Sequence, residues 1–293
     1  MEGAPYRVMG IVNVTPDSFS DGGEFLGAEA AVAHALRLAG EGADILDVGG
    51  ESTRPGARPV GAEEELGRVL PVLEGISAAM RSSQAPRQVS IDTSKASVAR
   101  AALAAGASLV NDVSAFRADP EMAGVVAGSG AHCCLMHMQG EPRTMQEAPR
   151  YGDVVEDVGA FLAERVEFAV AEGVARDRIM LDPGIGFGKT EQHNLELLLR
   201  LQELAALGLP IVVGTSRKAF LGHILARAAG RDEPVAAGER LAGTLATNVL
   251  AYERGASVFR VHDVGPVRDA LAVATATLGE RWTARSTRTT PTT

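Results

Sequence analysis

Hydrophobic and polar positions follow two alternating patterns along this chain. Short runs of apolar residues, rich in β-branched side chains, are each followed by a longer Ala/Leu/Val pattern at helical spacing. Short runs of this kind are typical of buried strands, and the longer patterns indicate amphipathic helices. The eight strand candidates are "YRVMGIV", "DILDVG", "QVSID", "SLVND", "HCCLMH", "RIMLDPG", "PIVVGTS" and "SVFRVH".

Helical patterns fill the intervals between these runs, with two patterns in the last interval, and one more pattern follows the eighth run. They cover residues 28–42, 62–81, 96–106, 120–130, 151–173, 191–207, 219–229, 237–254 and 266–282. Strands that alternate with helices predict right-handed crossovers and a parallel sheet. Eight such units in about 250 residues favour a closed, parallel, eight-stranded (β/α)8 TIM barrel over an open doubly wound sheet.

The pattern predicts one domain followed by a tail. No internal linker interrupts the alternation, so residues 1–282 are predicted to form a single barrel domain. Residues 283–293 contain no apolar side chain able to dock on a core, and they are predicted to be disordered.

Composition and charge exclude several classes of protein. The 293 residues are 46% hydrophobic, which is enough to bury a substantial core. A net charge of −9 argues against nucleic-acid or anionic-membrane partners, because both demand a positive surface. No apolar stretch approaches the roughly 20 residues of a membrane helix, and no export signal is visible. The adjacent Cys133 and Cys134, within an apolar run, are predicted to be reduced core residues of a cytoplasmic protein.

Polar side chains fall at the carboxyl ends of all eight predicted strands. They are Asn13, Asp47 with the segment "GGESTRPG", Asp92, Asn111 with Asp112, His137, Asp182, Ser216 with Arg217 and Lys218, and Arg260 with His262. Any one of them could simply mark where a strand gives way to a loop. Three of them, Asp92, Asn111 and Asp182, emerge directly from apolar runs, and burying such groups without partners costs several kcal/mol. Barrel enzymes build their sites at this face, so the array predicts a pocket for a ligand with hydrogen-bond donors.

The first strand runs into an unusually polar loop in "VMGIVNVTPDSFSDGG". The segment turns polar at Asn13 and is longer than the two to five residues that a short turn needs. It is either a solvated loop or a set of groups whose partner is a ligand.

The glycine-rich segment "DPGIGFGKT" resembles the end of a phosphate-binding P-loop. That motif needs a glycine five residues before Gly188, and position 183 is proline, so the spacing fails. The glycines instead predict close approach of the backbone to a flat ligand, with Phe187 exposed at the turn. No zinc-protease, Cys-x-x-Cys or serine-hydrolase motif is present.

Histidines fall into two groups by position. Four lie within element patterns and are predicted to be structural or exposed: His34, His132, His193 and His223. His137 and His262 lie at strand ends, where a structural role and a role in the site are equally consistent with the pattern.

Eight motifs in order resemble those of the dihydropteroate synthase family. They are "GIVNVTPDSFSDGG", "DVGGESTRPGA", "SIDT", "NDVS", "MHMQGEPRTMQ", "LDPGIGFGKT", "GTSRK" and "RVHDV", and they span residues 9 to about 270. The resemblance implies a pterin-binding (β/α)8 barrel. It implies a transferase of folate biosynthesis, which condenses 6-hydroxymethyl-7,8-dihydropterin pyrophosphate with p-aminobenzoate to give 7,8-dihydropteroate and pyrophosphate.

The resemblance also implies roles for individual residues. Asp92, Asn111, Asp182 and Lys218 match the family's pterin pocket and would be the catalytic groups. A reduced pterin presents ring nitrogens, an amino group and a carbonyl, and buried carboxylates facing the N–H groups make charge-assisted hydrogen bonds.

The remaining substrate groups have matching residues as well. Arg260 and His262 match the pair that binds pyrophosphate, and Asn13 matches the residue that helps to hold Mg²⁺. Magnesium keeps most of its ligands as waters and substrate phosphates, so no protein cage is expected.

The p-aminobenzoate site is implied to form late. In the family, loop 15–23 and the loop of Thr53, Arg54 and Pro55 fold over the bound pterin pyrophosphate, and they complete this site with Phe187 and Lys218. The polar residues of the first loop would then have substrates as partners. The family mechanism is dissociative and needs electrostatic preorganisation rather than a nucleophilic side chain.

The family further implies a cytoplasmic homodimer that acts on small molecules and is a target of sulfonamides. Two alternatives remain. A pterin-binding methyltransferase shares the barrel and the strand-end residues but would not need "NVTPDSF", "ESTRPG" or "SRK", which are all present. A non-catalytic pterin binder would be signalled by loss of Asn13, Lys218 or Arg260, which are all retained. One departure from many family members is Ala219, where they have serine.

Overall fold

The computed structural model describes residues 5–14, 23–53, 56–80, 87–141 and 143–279. Several predictions fall on residues outside these ranges. They concern most of loop 15–23, the p-aminobenzoate residues Arg54 and Pro55, and the tail 283–293.

Eight parallel strands close into a barrel, as the sequence predicted. They are β1 (Arg7–Asn13), β2 (Ile45–Gly49), β3 (Gln88–Asp92), β4 (Leu109–Asp112), β5 (His132–Met136), β6 (Ile179–Asp182), β7 (Ile211–Val213) and β8 (Ala256–Val261). Each strand pairs with the next, and β8 pairs with β1. The strands are short apolar runs covered on both faces, which is the arrangement of parallel sheets.

Ten α-helices surround the barrel in the part of the chain that the structure describes. They are α1 (Gly23–Gly40), α2 (Ala62–Met80), α3 (Ala96–Ala104), α4 (Met122–Ser129), α5 (Val154–Ala171), α6 (Glu191–Leu199), α7 (Leu201–Ala205), α8 (Ala219–Ala228), α9 (Leu241–Glu253) and α10 (Val264–Leu278). No described helix has the length and apolar character needed to span a membrane.

Two helical predictions need correction. The stretch 191–207 was predicted as one helix, but the chain breaks at Arg200 between α6 and α7, where ψ is +22°. The Arg200 side chain bonds Asp153 on one side and Glu203 on the other. The stretch 237–254 is a short 3₁₀ turn, Ala237–Glu239, followed by α9.

The barrel interior is closed by an apolar plug. The plug consists of Met9, Ile45, Leu109, Cys134, Met180, Val212 and Val258, which form a cluster separate from the larger core between strands and helices. Successive side chains of a strand point to opposite faces, so residues two positions after the plug residues also face the interior. Four of those seven positions hold Asp47, Asn111, Asp182 and Arg260, and the other three hold Ile11, Met136 and Gly214.

The cysteines are buried, as predicted. Cys134 belongs to the plug and Cys133 to the outer core, because neighbours on a strand face opposite sides. Both are free thiols. Burial raises the pKa of Cys133 to about 12 and holds the pKa of Cys134 well above its ordinary value.

Candidate active site

A polar layer covers the plug at the carboxyl end of the barrel. Arg260 is its centre: its Nε donates to Asp47 Oδ2 at 2.7 Å, and its Nη2 donates to Asp92 Oδ2 at 2.7 Å. Asn111 Nδ2 donates to the same Asp47 oxygen at 3.1 Å. The other Asp47 oxygen, Oδ1, is buried and has no hydrogen-bond partner among the described residues. The layer therefore holds acceptor capacity that the described protein groups do not use.

The electrostatics of this layer favour incoming donors. Burial raises the pKa of Asp92 to about 7, against the opposing effect of Arg260, and nearby Asp47 adds to the rise. Burial lowers the pKa of Arg260, but Asp47 and Asp92 raise it by more, so the guanidinium stays charged. One arginine thus faces two carboxylates in a largely buried setting, where burial makes ionisation of Asp92 costly.

Asp182 contributes a third carboxylate at the end of β6. Its Oδ1 accepts from the backbone N–H of Gly184 at 2.7 Å. Burial raises the pKa of Asp182, while the Gly184 N–H, Lys218 and Arg260 lower it. Lys218 precedes α8 as its N-cap residue, and its Nζ lies 4.0 Å from the centre of the Phe187 ring. Asp182, Lys218 and Phe187 therefore share one side of the mouth.

The glycine-rich turn after β6 packs closely against neighbouring loops, and its Phe187 differs from the prediction. A side chain at Gly184, where φ is +67°, would place its Cβ 1.8 Å from the carbonyl oxygen of His137. At Gly188, where φ is +60°, the corresponding distance to the Gln139 oxygen is 2.3 Å. These two glycines allow close approach to the loop after β5, and a Cβ at Gly186 would lie 3.0 Å from Lys218 Cδ. Phe187 is half-buried against a methionine-rich cluster rather than exposed.

Lys189 anchors this turn, a role that its P-loop-like motif had concealed. Its Nζ is buried, 2.9 Å from His137 Nδ1 and 3.1 Å from the oxygen of Phe187. Burial lowers the pKa of Lys189 to about 7. Burial, together with Lys189 and Arg117, lowers the pKa of His137 to about 3, so this imidazole is neutral. The structure thus gives His137 a structural place beside the site.

His262 lies at the end of β8, next to the loop after β7. Its Nδ1 is 3.0 Å from Ser216 Oγ, and its backbone N–H donates to the same oxygen at 3.1 Å. The flanking residues Arg217 and Asp263 form an ion pair. The loop that carries Lys218 therefore also holds His262 in place.

Thr53 lies on the loop after β2, and a partly buried charge network supports the base of that loop. Glu51 accepts from the backbone N–H of Val60 at 3.0 Å. Lys95 Nζ bridges Glu51 at 2.5 Å and the fully buried Glu65 at 2.6 Å. Thr53 itself is half-exposed. Sequence reasoning missed this network, although a Glu at a core-facing helix position was available as a signal.

Most predicted site residues of the described ranges meet at this mouth. Arg260 bonds both Asp92 and Asp47, and Asp47 also accepts from Asn111. Asp47 belonged to the predicted strand-end array but was given no role in the substrate site. Asn13 ends β1, half-buried and in register with Gly49 of β2. The predicted Arg54 and Pro55 lie outside the described residues.

Comparisons with known proteins agree with this geometry. A family model described as "Pterin binding enzyme" matches residues 9–262. The dihydropteroate synthase of Escherichia coli K12 is 45% identical over 275 residues, which cover 94% of this chain and 93% of that protein. The Xanthomonas albilineans dihydropteroate synthase structure with 4-aminobenzoic acid superposes with a TM-score of 0.84 at 48% identity, covering 94% of this chain and 93% of the other.

A third similar protein is the Yersinia pestis dihydropteroate synthase, solved as a sulfonamide drug complex. It has a TM-score of 0.83 and 43% identity, and the match covers 93% of this chain and 94% of the other. The closed barrel, the polar layer at its mouth and these matches along nearly the whole chain establish that the protein belongs to the pterin-binding enzyme family.

Proposed function

We infer that this chain catalyses the dihydropteroate synthase reaction. The reaction condenses 6-hydroxymethyl-7,8-dihydropterin pyrophosphate with p-aminobenzoate and releases pyrophosphate. The observation that carries this inference is the polar layer at the barrel mouth, in which buried carboxylates outnumber their cation. Such a layer suits a flat heterocycle with several N–H donors. Relatives of nearly the same length are named dihydropteroate synthase.

The pterin would bind over the plug. Its amino and ring N–H groups would donate to Asp92 and Asp182, while Asn111 and Lys218 would complete the hydrogen bonds at its edge. Hydrogen bonds to ionised groups are the stronger ones, and burial strengthens them further. The raised pKa values of Asp92 and Asp182 reflect the free-energy cost of ionising these buried carboxyl groups without a ligand. Hydrogen bonds from the N–H groups of a pterin would lower both pKa values.

The pyrophosphate would lie toward β8. Arg260 and His262 end this strand, and Arg260 keeps its charge between two carboxylates. A departing pyrophosphate gains negative charge, so a fixed guanidinium beside it stabilises the transition state more than the ground state.

Asn13 would hold Mg²⁺ against the pyrophosphate. Magnesium takes oxygen ligands and usually only one or two of them from the protein, a requirement that the half-buried carboxamide at the end of β1 meets. When bound, the ion neutralises charge on the phosphate oxygens. Replacement of Asn13 by Ala should raise the Mg²⁺ concentration needed for half-maximal substrate binding, and calorimetric titration at several Mg²⁺ concentrations would measure it.

The described side chains then act by placement rather than by covalent chemistry. The bond between the methylene carbon and the pyrophosphate oxygen breaks and pyrophosphate leaves. The pterin and its carboxylates stabilise the cation that remains, and the aniline nitrogen then attacks the methylene carbon and releases a proton to water. Asp182 and Lys218 hold the pterin rigidly while charge develops. Preorganised groups of this kind commonly supply the largest share of a rate enhancement.

The second substrate would bind at the rim. Phe187 offers an apolar face beside Lys218, and Thr53, Arg54 and Pro55 would cover p-aminobenzoate once their loop settles. Sulfonamides would occupy the same place, because they share the aniline and an acidic group.

A homodimer and a cytoplasmic location complete the proposal. Adjoining helices α6 and α9 leave Leu195, Leu199 and Leu250 exposed, at 37%, 55% and 42%. A second copy of this chain would cover them. Leu199→Glu should shift the protein toward monomer in sedimentation analysis, whereas a monomeric parent protein would overturn the dimer. The buried thiols fit a reducing compartment.

Release of pyrophosphate that requires both substrates would test the reaction. With the pterin pyrophosphate alone, or with p-aminobenzoate alone, we expect no release above the uncatalysed rate. Binding of the pterin without release would favour a non-catalytic binder. Transfer of a methyl group from a methylated folate would favour the methyltransferase.

A further inference from the structure

Two loops on neighbouring strands carry site residues that would bind different parts of one substrate. β7 pairs with β8. The loop after β7 leads through Ser216 and Arg217 to Lys218, and the end of β8 leads through His262 to Asp263. Lys218 belongs to the pterin side of the proposed function and His262 to the pyrophosphate side. The relative position of these two loops therefore matters to any reaction at the bond between pterin and pyrophosphate.

Arg217 has a backbone conformation that residues with a side chain rarely adopt. Its φ is +59°, in the left-handed region that favours glycine. Three sets of hydrogen bonds hold it there. Its N–H donates to Thr244 Oγ1 at 3.1 Å, its carbonyl accepts from Arg240 Nη1 at 2.9 Å, and its guanidinium bonds Asp263. Strained residues that are held in this way concentrate at functional sites.

Asp263 gives up a local interaction of its own. It is the N-cap residue of α10, a position where an aspartate carboxylate usually accepts from the first helical N–H groups. Its side chain makes no such capping bond. The carboxylate instead points across to Arg217, with Nε to Oδ2 at 3.0 Å and Nη2 to Oδ1 at 2.6 Å.

A gain in stability does not explain the left-handed backbone of Arg217 or the missing capping bond of Asp263. The Arg217 and Asp263 side chains are 36% and 23% exposed, and ion pairs near the surface contribute little to the free energy of folding. A two-bond contact between a guanidinium and a carboxylate does fix distance and orientation. The pair also has a neighbour that joins the same loops, the contact between Ser216 and His262.

We propose that Arg217 and Asp263 are a pair of positioning residues that fix Lys218 and His262 relative to each other. Neither residue touches substrate in this account. The inference rests on the proposed function for the identity of the groups that Lys218 and His262 bind. A left-handed Arg217 directs the chain into α8 at Lys218, and Asp263 holds that turn against the strand end that carries His262.

The test is a double-mutant cycle with Arg217→Gln, Asp263→Asn and the combined variant. Each substitution removes charge and keeps most of the shape. We expect kcat/KM for the pterin pyrophosphate to fall roughly 10- to 100-fold in each single variant, since small misplacements of reacting groups have effects of this size. The kcat/KM of the double variant should lie within about twofold of that of the less active single variant, because the second substitution removes no further interaction.

Arg268→Gln is the matched control. Arg268 lies beside Asp44 at the opposite end of the barrel, and the two side chains have similar exposure, 42% and 28%. The control should keep kcat/KM within about twofold of the parent protein. Every variant should keep its melting temperature within about 4 °C of the parent protein. Losses equal to those of Arg268→Gln, or effects that multiply in the double variant, would overturn the positioning role.

A binding measurement separates this inference from the proposed function. Calorimetric titration with inorganic pyrophosphate and Mg²⁺ reports the His262 side without turnover. We expect affinity to fall roughly 3- to 10-fold in Arg217→Gln and Asp263→Asn and to be unchanged in Arg268→Gln. A parent protein that binds pyrophosphate but shows no condensation would contradict the proposed function alone. Unchanged pyrophosphate affinity in both variants would contradict the positioning pair alone.

Discussion

The two ends of the barrel interior use polar side chains in opposite ways. At the amino-terminal end, Arg7 meets neutral partners, Gln88 Oε1 at 3.3 Å and the sulfur of Met180 at 3.1 Å. At the carboxyl-terminal end, Arg260 meets two carboxylates at 2.7 Å each. The same apolar plug separates the two layers.

The difference lies in how many buried acceptors each end holds. We call the polar layer at the carboxyl-terminal end the upper layer and the polar groups around Arg7 the lower layer. The upper layer brings Asp47, Asp92 and Asp182 toward one guanidinium and leaves Asp47 Oδ1 without a partner among the described residues. The lower layer leaves a ring nitrogen, His132 Nδ1, without a partner among the described residues, whereas the upper layer leaves a carboxylate oxygen without one. An end that binds a ligand leaves part of the pairing of its buried carboxylates to that ligand.

The largest expected effect comes from removing the cation at each end in turn. Arg260→Ala should lower kcat/KM by roughly 10³-fold or more, and it should cost about 3 kcal/mol of stability because Asp47 and Asp92 lose their partner. It should weaken binding of the pterin pyrophosphate far more than binding of the unphosphorylated pterin. Arg7→Ala should leave kcat within about twofold. Calorimetry with both ligands measures the difference, and equal losses for the two would refute the pyrophosphate assignment.

A second effect concerns the rim above the upper layer. We expect p-aminobenzoate to bind the ligand-free protein weakly and to bind at least about tenfold better with pyrophosphate and Mg²⁺ present, since a loop that must order first reduces apparent affinity. Titration with and without pyrophosphate measures this ratio. Tight binding to the ligand-free protein would show that the second site is already formed.

A third effect follows from the titration of Asp92. Its pKa in the folded protein, about 7, lies above the 3.8 of the unfolded chain. The stabilising contribution of the protonated form is therefore complete below about pH 4 and is lost as the pH rises through 7. Asp92→Asn should remove this loss. The stability of the parent protein relative to the variant should fall by about 1–3 kcal/mol between pH 4.5 and 8.

Urea unfolding at both pH values would measure this change. A constant difference between the two proteins across the range would mean that Asp92 is ionised throughout. The lower layer offers the comparison: Gln88→Ala removes a group that does not titrate, and its effect on stability should not change with pH.

The smallest expected effect concerns Ala219, the first residue of α8. It is exposed at a helix N-terminus, where free N–H groups already favour the carboxylate of p-aminobenzoate. A well-placed hydroxyl adds roughly 0.5–1.5 kcal/mol. Ala219→Ser should therefore lower the KM for p-aminobenzoate severalfold and leave kcat nearly unchanged. In steady-state kinetics, a raised KM for the pterin substrate would show that residue 219 lies beside the other ligand.

The sequence predicted the barrel and the location of its mouth because both depend on local periodicity. Eight apolar runs define the strands, and a polar residue two positions beyond a plug residue must share its face. Asn111 and Asp182 could be found in this way, and Asp92 could be found as the polar end of the third apolar run. The hydrogen bonds within the polar layer could not be predicted, because they join residues far apart in the chain. Arg260 and Asp47, for example, are 213 positions apart.

The contacts of the turn after β6 could not be predicted for a related reason. Its glycines and Lys189 indicate a close approach of something to the backbone, but sequence does not say of what. The partner is the loop after β5, which comes about 50 residues earlier in the chain. Likewise, the break at Arg200 depends on Asp153 of another unit, so helical spacing alone carried the predicted helix through it.

The adjacent cysteines can report, through their reaction with a thiol reagent, which side of the barrel wall becomes exposed. Cys133 and Cys134 face opposite sides of β5, one toward the helices and one into the plug, and neither ionises readily. A thiol reagent attacks the thiolate and needs access to it, so both residues should stay unmodified in the closed protein. Detachment of a helix would expose Cys133 alone, whereas opening of the barrel would expose Cys134 as well. The order in which the two thiols are labelled would therefore reveal which layer of the molecule opens first.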